Sequence, residues 1–102
     1  LEAKANPNDR DERGASVMHL VTYHGQEDLC KILYMARGDP NIEDQHGQTP
    51  LFFVPSLGLC KTLVKMQADV NHTSRKGQSV LHLAANAGLS EVMEWLVKRV
   101  TK

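Results

Sequence analysis

Apolar residues fall at helical spacing in short runs, and each run is broken by a glycine. Met18, Val21 and Thr22 stand at i, i+3 and i+4, and Leu81, Ala84 and Ala85 repeat that spacing. Such spacing marks one face of a helix. Gly25 and Gly88 come next, where a C-terminal glycine lets the chain reverse. A second run then carries Leu29, Ile32, Leu33 and Ala36 in one place and Val92, Trp95 and Leu96 in the other. The pattern predicts short helices in antiparallel pairs, with the apolar faces of each pair turned inward.

The pairs belong to a longer internal repeat. Residues 8–19, 41–52 and 71–82 align. Gly14 and Gly47 lie 33 residues apart, and Gly47 and Gly77 lie 30 apart. A period in this range signals stacked repeats. Asp11, Asp44 and Ser74 stand three residues before those glycines, the composition of a type I β-turn. Two residues beyond each glycine stands Ser16, Thr49 or Ser79, a residue type that caps a helix by accepting from an unpaired N–H of its first turn. Pro50 follows its cap at the first helical position, where a missing N–H costs little.

These features resemble the ankyrin-repeat family. Its pattern is a turn, T-P-L-H-x-A-A, a glycine, a second helix with paired leucines, then A-D-V-N. Thr49-Pro50-Leu51, Ser79-Val80-Leu81-His82-Leu83-Ala84-Ala85 and Ala68-Asp69-Val70-Asn71 match it. The resemblance spans essentially the whole chain and implies an all-α repeat solenoid. About three stacked helix–turn–helix repeats would be joined by β-turn fingers. The expected organisation is one domain over residues 1–102. Within it, 1–8 would be the tail of a preceding repeat, 9–41 repeat one, 42–71 a shortened repeat two and 72–102 repeat three.

Repeat two departs from the pattern. It is three residues short, and the gap falls either after Gly58 or between Val54 and Pro55. Pro55 favours the second placement, because inside a helix it would cost roughly 3 kcal/mol. It then ends a truncated first helix, and Ser56 caps the second. The deletion reads first as a tolerated loss in a surface loop, and second as a notch that shapes a partner site. Phe52 stands where the family has His, so a bond from that histidine to Thr49 is expected to be missing. Val17 and Val80 replace Pro at the other two helix starts.

Composition narrows the function. Hydrophobic residues make up 41% and charged residues 24%, in the range of a globular chain. Twelve positive and twelve negative charges cancel, which gives no long-range attraction for nucleic acid or an anionic membrane. No apolar run approaches the roughly 18 residues needed to span a bilayer, so membrane insertion is not expected. The N-terminus has no apolar core of a signal peptide. The expected location is intracellular, cytoplasmic or nuclear.

Candidate chemistry is thin. His19 and His82 share one repeat position, and the resemblance implies that they order the turn. His24, His46 and His72 form no zinc motif. Cys30 and Cys60 occupy equivalent positions in successive repeats, whose helices would pack about 8–10 Å apart, too far for a disulfide, so both are expected as reduced core or near-core thiols. No phosphate loop and no nucleophile–base pair is present, and no cofactor, metal or catalytic activity is expected. Trp95 reads as core packing ahead of an interface anchor.

The resemblance places partner contacts on the finger tips and on the exposed side of the first helices. The residues are Glu12, Arg13, Gln45, His46, Gln48, Arg75, Lys76 and Gln78 at the tips, and Tyr23, His24 and Asn86 on the helices. The implied function is protein–protein interaction in a concave groove. The alternative is an intramolecular regulatory or targeting segment of a larger enzyme, channel or transcription regulator. Uncapped ends add an expectation of self-association.

Overall fold

The computed structural model describes residues 6–100 and extends 41 × 26 × 21 Å. Among them are five α-helices and one short 3₁₀ helix. They are α1 (Val17–Tyr23), α2 (Glu27–Met35), the 3₁₀ helix Pro50–Phe53, α3 (Leu57–Lys65), α4 (Val80–Asn86) and α5 (Ser90–Val97). α1, the 3₁₀ helix and α4 pack side by side as an inner layer, and α2, α3 and α5 form the outer layer. The all-helical repeat fold expected from the sequence is the one observed.

Local chemistry sets each element. Ser16 accepts from the His19 backbone N–H at 3.2 Å, while Ser16 N–H donates to His19 Nδ1 at 3.1 Å. This reciprocal cap starts α1, and Ser79 N–H donates likewise to His82 Nδ1 at 2.9 Å. Gly25 and Gly88 follow the inner helices with φ of +71° and +70°. Ser56 caps α3 by accepting from Leu59 N–H, as expected. The first helix of the second pair is reduced to the single turn Pro50–Phe53, and Pro55 begins the passage to α3. This agrees with the gap lying between Val54 and Pro55.

The core lies between the layers. Met18, Leu51, Cys30, Cys60, Leu63, Val80, Val92 and Leu96 are buried. Cys30 and Cys60 are free thiols, and Thr22 Oγ1 lies 3.5 Å from Cys30 Sγ. Three predicted core positions need correction. Leu29 and Ile32 are 40% and 59% exposed, because α2 turns Cys30 and Leu33 to the core and no described element packs over its other side. Ala85 is exposed for the same reason at α4. Trp95 is half-buried, and the Arg99 guanidinium stacks 3.7 Å from its ring centroid.

Hydrogen bonds join each unit to the next. Asn8 donates from Nδ2 to the Arg37 carbonyl and accepts from Asp39 N–H. Asn41 repeats both bonds one unit later, to Gln67 at 2.9 Å and from Asp69 at 2.7 Å. A single asparagine thus satisfies the end of the following outer helix.

Candidate functional site

Each finger is a β-turn closed by its own hydrogen bond. Gly14, Gly47 and Gly77 donate to the carbonyls of Asp11, Asp44 and Ser74, closing three i to i+3 turns. The Asp11 and Asp44 carboxylates accept two backbone N–H groups each, at 2.9–3.0 Å. Asp44 is therefore occupied by its own turn, with the exposed His46 two residues on.

Neighbouring fingers are bonded together. Arg75 N–H donates to the His46 carbonyl at 2.9 Å, and Arg10 Nε donates to the Glu43 carbonyl at 2.9 Å. His19 Nε2 lies 2.8 Å from the Gln48 carbonyl oxygen. Since Nδ1 accepts from Ser16 N–H, the hydrogen sits on Nε2 and is donated to Gln48. His19 thus caps its own helix and holds the next finger. Burial lowers its pKa below the ordinary histidine value, against the pull of the Gln48 carbonyl. His72 Nε2 lies 3.0 Å from the Gly47 carbonyl oxygen and 3.2 Å from a Glu43 carboxylate oxygen. Nothing in the one-dimensional pattern pointed to that tie, which joins the second and third fingers.

The predicted contact residues fall into two groups. Glu12, Arg13, Gln45, His46, Arg75 and Lys76 are exposed on the fingers, and Tyr23, His24 and Asn86 are exposed at the far ends of α1 and α4. Tyr23 is 64% exposed. Gln48 and Gln78 are half-buried at the roots of their fingers, and their backbones bond to Asp44 and Ser74.

Sequence reasoning missed the floor between these groups. Leu20, Phe53 and Leu83 each stand four residues after the cap of an inner helix. Leu20 is 48% exposed, and Phe53 and Leu83 are half-buried. Phe53 packs edge-on against the His19 ring, with centroids 5.8 Å apart. Together they form an apolar column across the stack. None of the inner helices contains Asp, Glu, Lys or Arg, whereas every outer helix does. The signal was available: Val17, Leu20 and Tyr23 make a second apolar face on α1, opposite Met18 and Val21.

The column opens into a cavity of about 350 Å³ beside the shortened 3₁₀ helix. Tyr23, Phe53, Val54, Pro55, Leu83 and Ala87 are among the residues that line it. It lies beside the shortened first helix of the second pair, and its lining draws Tyr23 from the first pair and Ala87 from the third. A smaller hollow of about 140 Å³ adjoins it, shares Tyr23 and Phe53, and reaches Leu20.

The ankyrin-repeat model, three copies long, matches residues 17–102. The chain belongs to the ankyrin-repeat family. An ankyrin repeat-containing protein of Schizosaccharomyces pombe is 44% identical over 57 residues, covering 56% of this chain and 28% of that protein. An E3 ubiquitin-protein ligase of Arabidopsis thaliana is 45% identical over 42 residues, 41% of this chain and 3% of the ligase. Human ankyrin repeat domain-containing protein 63 is 34% identical over 58 residues, 57% of this chain and 15% of that protein. The matched segments thus span less than a third of each relative. Ankyrin repeats are in general protein-interaction modules. Among the described residues of this ankyrin stack, no helix is long and apolar enough to cross a membrane, and no cluster of three His, Cys, Asp or Glu side chains is placed to hold a metal ion.

Proposed function

We propose that the chain is a non-catalytic interaction module that binds a protein partner in its concave groove, across the finger tips and inner helices. One observation carries this reading: the inner helices are free of formal charge and present the Leu20–Phe53–Leu83 column beneath a row of bonded fingers. Exposed aliphatic and aromatic side chains rimmed by Arg, Gln and His have the composition of an interface. Rigid fingers lower the entropy lost on binding.

The test is capture of partners from the chain's own cell extract, beside a variant carrying Arg13→Ala, Tyr23→Ala and His46→Ala. Loss of a captured partner only in the variant supports the groove. Equal capture by both moves the partner to another face.

A second reading is that the partner is a neighbouring domain of the same polypeptide. It is favoured by the relatives, in which the matched segment is 3–28% of a longer protein. Under this reading the isolated chain binds that domain when it is supplied separately, and the same triple variant weakens the association.

A further inference from the structure

The interior joints show which positions of a unit meet its neighbours. Thr62 of α3 donates to the Glu27 carboxylate of α2 at 2.7 Å, so the position of Thr62 faces the preceding unit. Ile32 and Trp95 stand at that position in the first and third units. Two further positions behave alike. Leu59 and Val92 are buried while their counterpart Leu29 is exposed, and Pro50 and Val80 are buried while their counterpart Val17 is exposed. The third unit has no described unit after it, so this cover comes from the unit before. Val17, Leu29 and Ile32 therefore form an uncovered apolar face on the first unit.

The far end shows the reverse. Cys30 and Cys60 are buried, while Met93 at the same position is exposed. His19 is buried and donates from Nε2 to the Gln48 carbonyl of the next finger. His82 is exposed, and its Nε2 has no partner among the described residues. A Cβ on Gly14 or Gly47 would meet the next finger within 3.0 Å, and one on Gly77 would meet nothing within 4 Å. The third unit thus ends in an uncovered face of the kind that the first two use to hold a successor. It carries a groove of about 630 Å³ lined by Ser90, Met93, Glu94, Val97 and Lys98. The two charged residues of that lining are of opposite sign.

The facing residues match in polarity at each joint. In the first joint Thr62 meets Glu27, polar on polar, and Lys65 adds its charge to the same carboxylate. In the second joint the counterparts are Leu57 and Trp95, which line one hollow, apolar on apolar. At the two ends, Ser90 holds the Glu27 position beside Met93 and Val97, and Ile32 and Met35 hold the positions of Thr62 and Lys65. A carboxylate at position 90 would be desolvated by Ile32 and Met35 without a partner, and none is there. Both ends depart from the polar first joint in the same direction.

We propose that the ends meet in a second copy of this chain, the α4–α5 face of one receiving the α1–α2 face of the next. Ile32 of the incoming copy seats between Ser90, Met93 and Val97, and His82 Nε2 donates to its Ala15 carbonyl, the counterpart of the Gln48 carbonyl. The Gln48 carbonyl accepts from Asp44 N–H as well as from His19. The Ala15 carbonyl accepts from Asp11 N–H and has a second lone pair for His82. Such a contact is heterologous, so copies add end to end. It uses the ends of the stack and is independent of the groove reading above.

Sedimentation equilibrium of the whole chain across a range of concentrations tests it. The mean mass is expected to rise with concentration past that of a dimer. Ile32→Glu blocks one face and Met93→Glu the other, both at exposed positions. Each variant alone should associate about tenfold or more weakly. Mixed in equal amounts, the two should form dimers and nothing larger, because each keeps the face that the other has lost. Unchanged circular dichroism establishes that the variants fold, and Ile32→Lys and Met93→Lys replace any glutamate variant that does not. A native chain that stays monomeric up to about 1 mM overturns the proposal and leaves the ends to units of another sequence. Association lost with only one of the two variants makes the contact symmetric and overturns it too. So does a mixture no larger than the variants alone. Capture of a groove partner is read separately, so either idea can fail without the other.

Discussion

Phe52 follows Thr49 by three residues, where His19 follows Ser16 and His82 follows Ser79, and the Thr49 hydroxyl is buried with no hydrogen-bond partner. The absence expected from Phe52 is thus realised, and it has an energetic sign. An unsatisfied buried hydroxyl costs about 1–3 kcal/mol. Thr49 makes no capping bond from its side chain, so Thr49→Val should raise stability by about 1 kcal/mol. Ser16→Ala, which removes a made cap, should lower it by about the same amount. Urea midpoints decide the matter, and a destabilised Thr49→Val protein would contradict the assignment.

Acid should loosen the stack through His19. Its folded pKa lies below the ordinary value of 6.5, chiefly through burial. Protonating Nδ1 would also set it against the Ser16 N–H that now donates to it. The unfolded chain takes up the proton first as pH falls through about 6.5, so stability is fully present above that pH. It declines from there to the lower folded pKa, then levels. Unfolding free energies of the native chain and of His19→Gln, measured between pH 7.5 and 5, should converge as pH falls. Parallel curves would rule His19 out.

Finger contacts can be weighed with two glycines of equal backbone conformation. Gly14 and Gly77 both have φ of +77°, so alanine at either meets the left-handed penalty of about 1–2 kcal/mol. Only at Gly14 does the added methyl meet another finger, 2.8 Å from the Gln45 backbone nitrogen. Gly14→Ala should therefore lower the urea midpoint clearly more than Gly77→Ala. Equal losses would mean that the first two fingers do not touch in solution.

The cysteines should be silent in the native state. Burial pushes the Cys60 thiol up to about 11 and raises Cys30 as well, against the Thr22 hydrogen bond. Attack requires the thiolate and access to it. At pH 8 a disulfide reagent should modify both cysteines only as fast as the chain opens, with the rate rising with urea. Fast modification of the folded protein would overturn their placement.

The order of helices, the turns and the caps were legible because each depends on neighbours within four residues. Ser16, Gly25, Pro55 and Ser56 all act where the pattern put them. Coverage was harder to read. Leu29 and Leu33 are the same residue type on one helix, yet only Leu33 is buried. Leu20, Phe53 and Leu83 escaped because exposure is decided by what stacks alongside, 30 or more residues away. The deletion was visible as a count of residues, but the cavity beside it draws on Tyr23 and Ala87, 64 positions apart in the chain, and so needed the stack itself.

The bonds of Asn8, Asn41, His19 and His72 each reach only the adjacent unit. Tension between the two ends is therefore carried in series, one joint after another, rather than shared among parallel strands. A stack tied this way peels open at its weakest joint while the others hold.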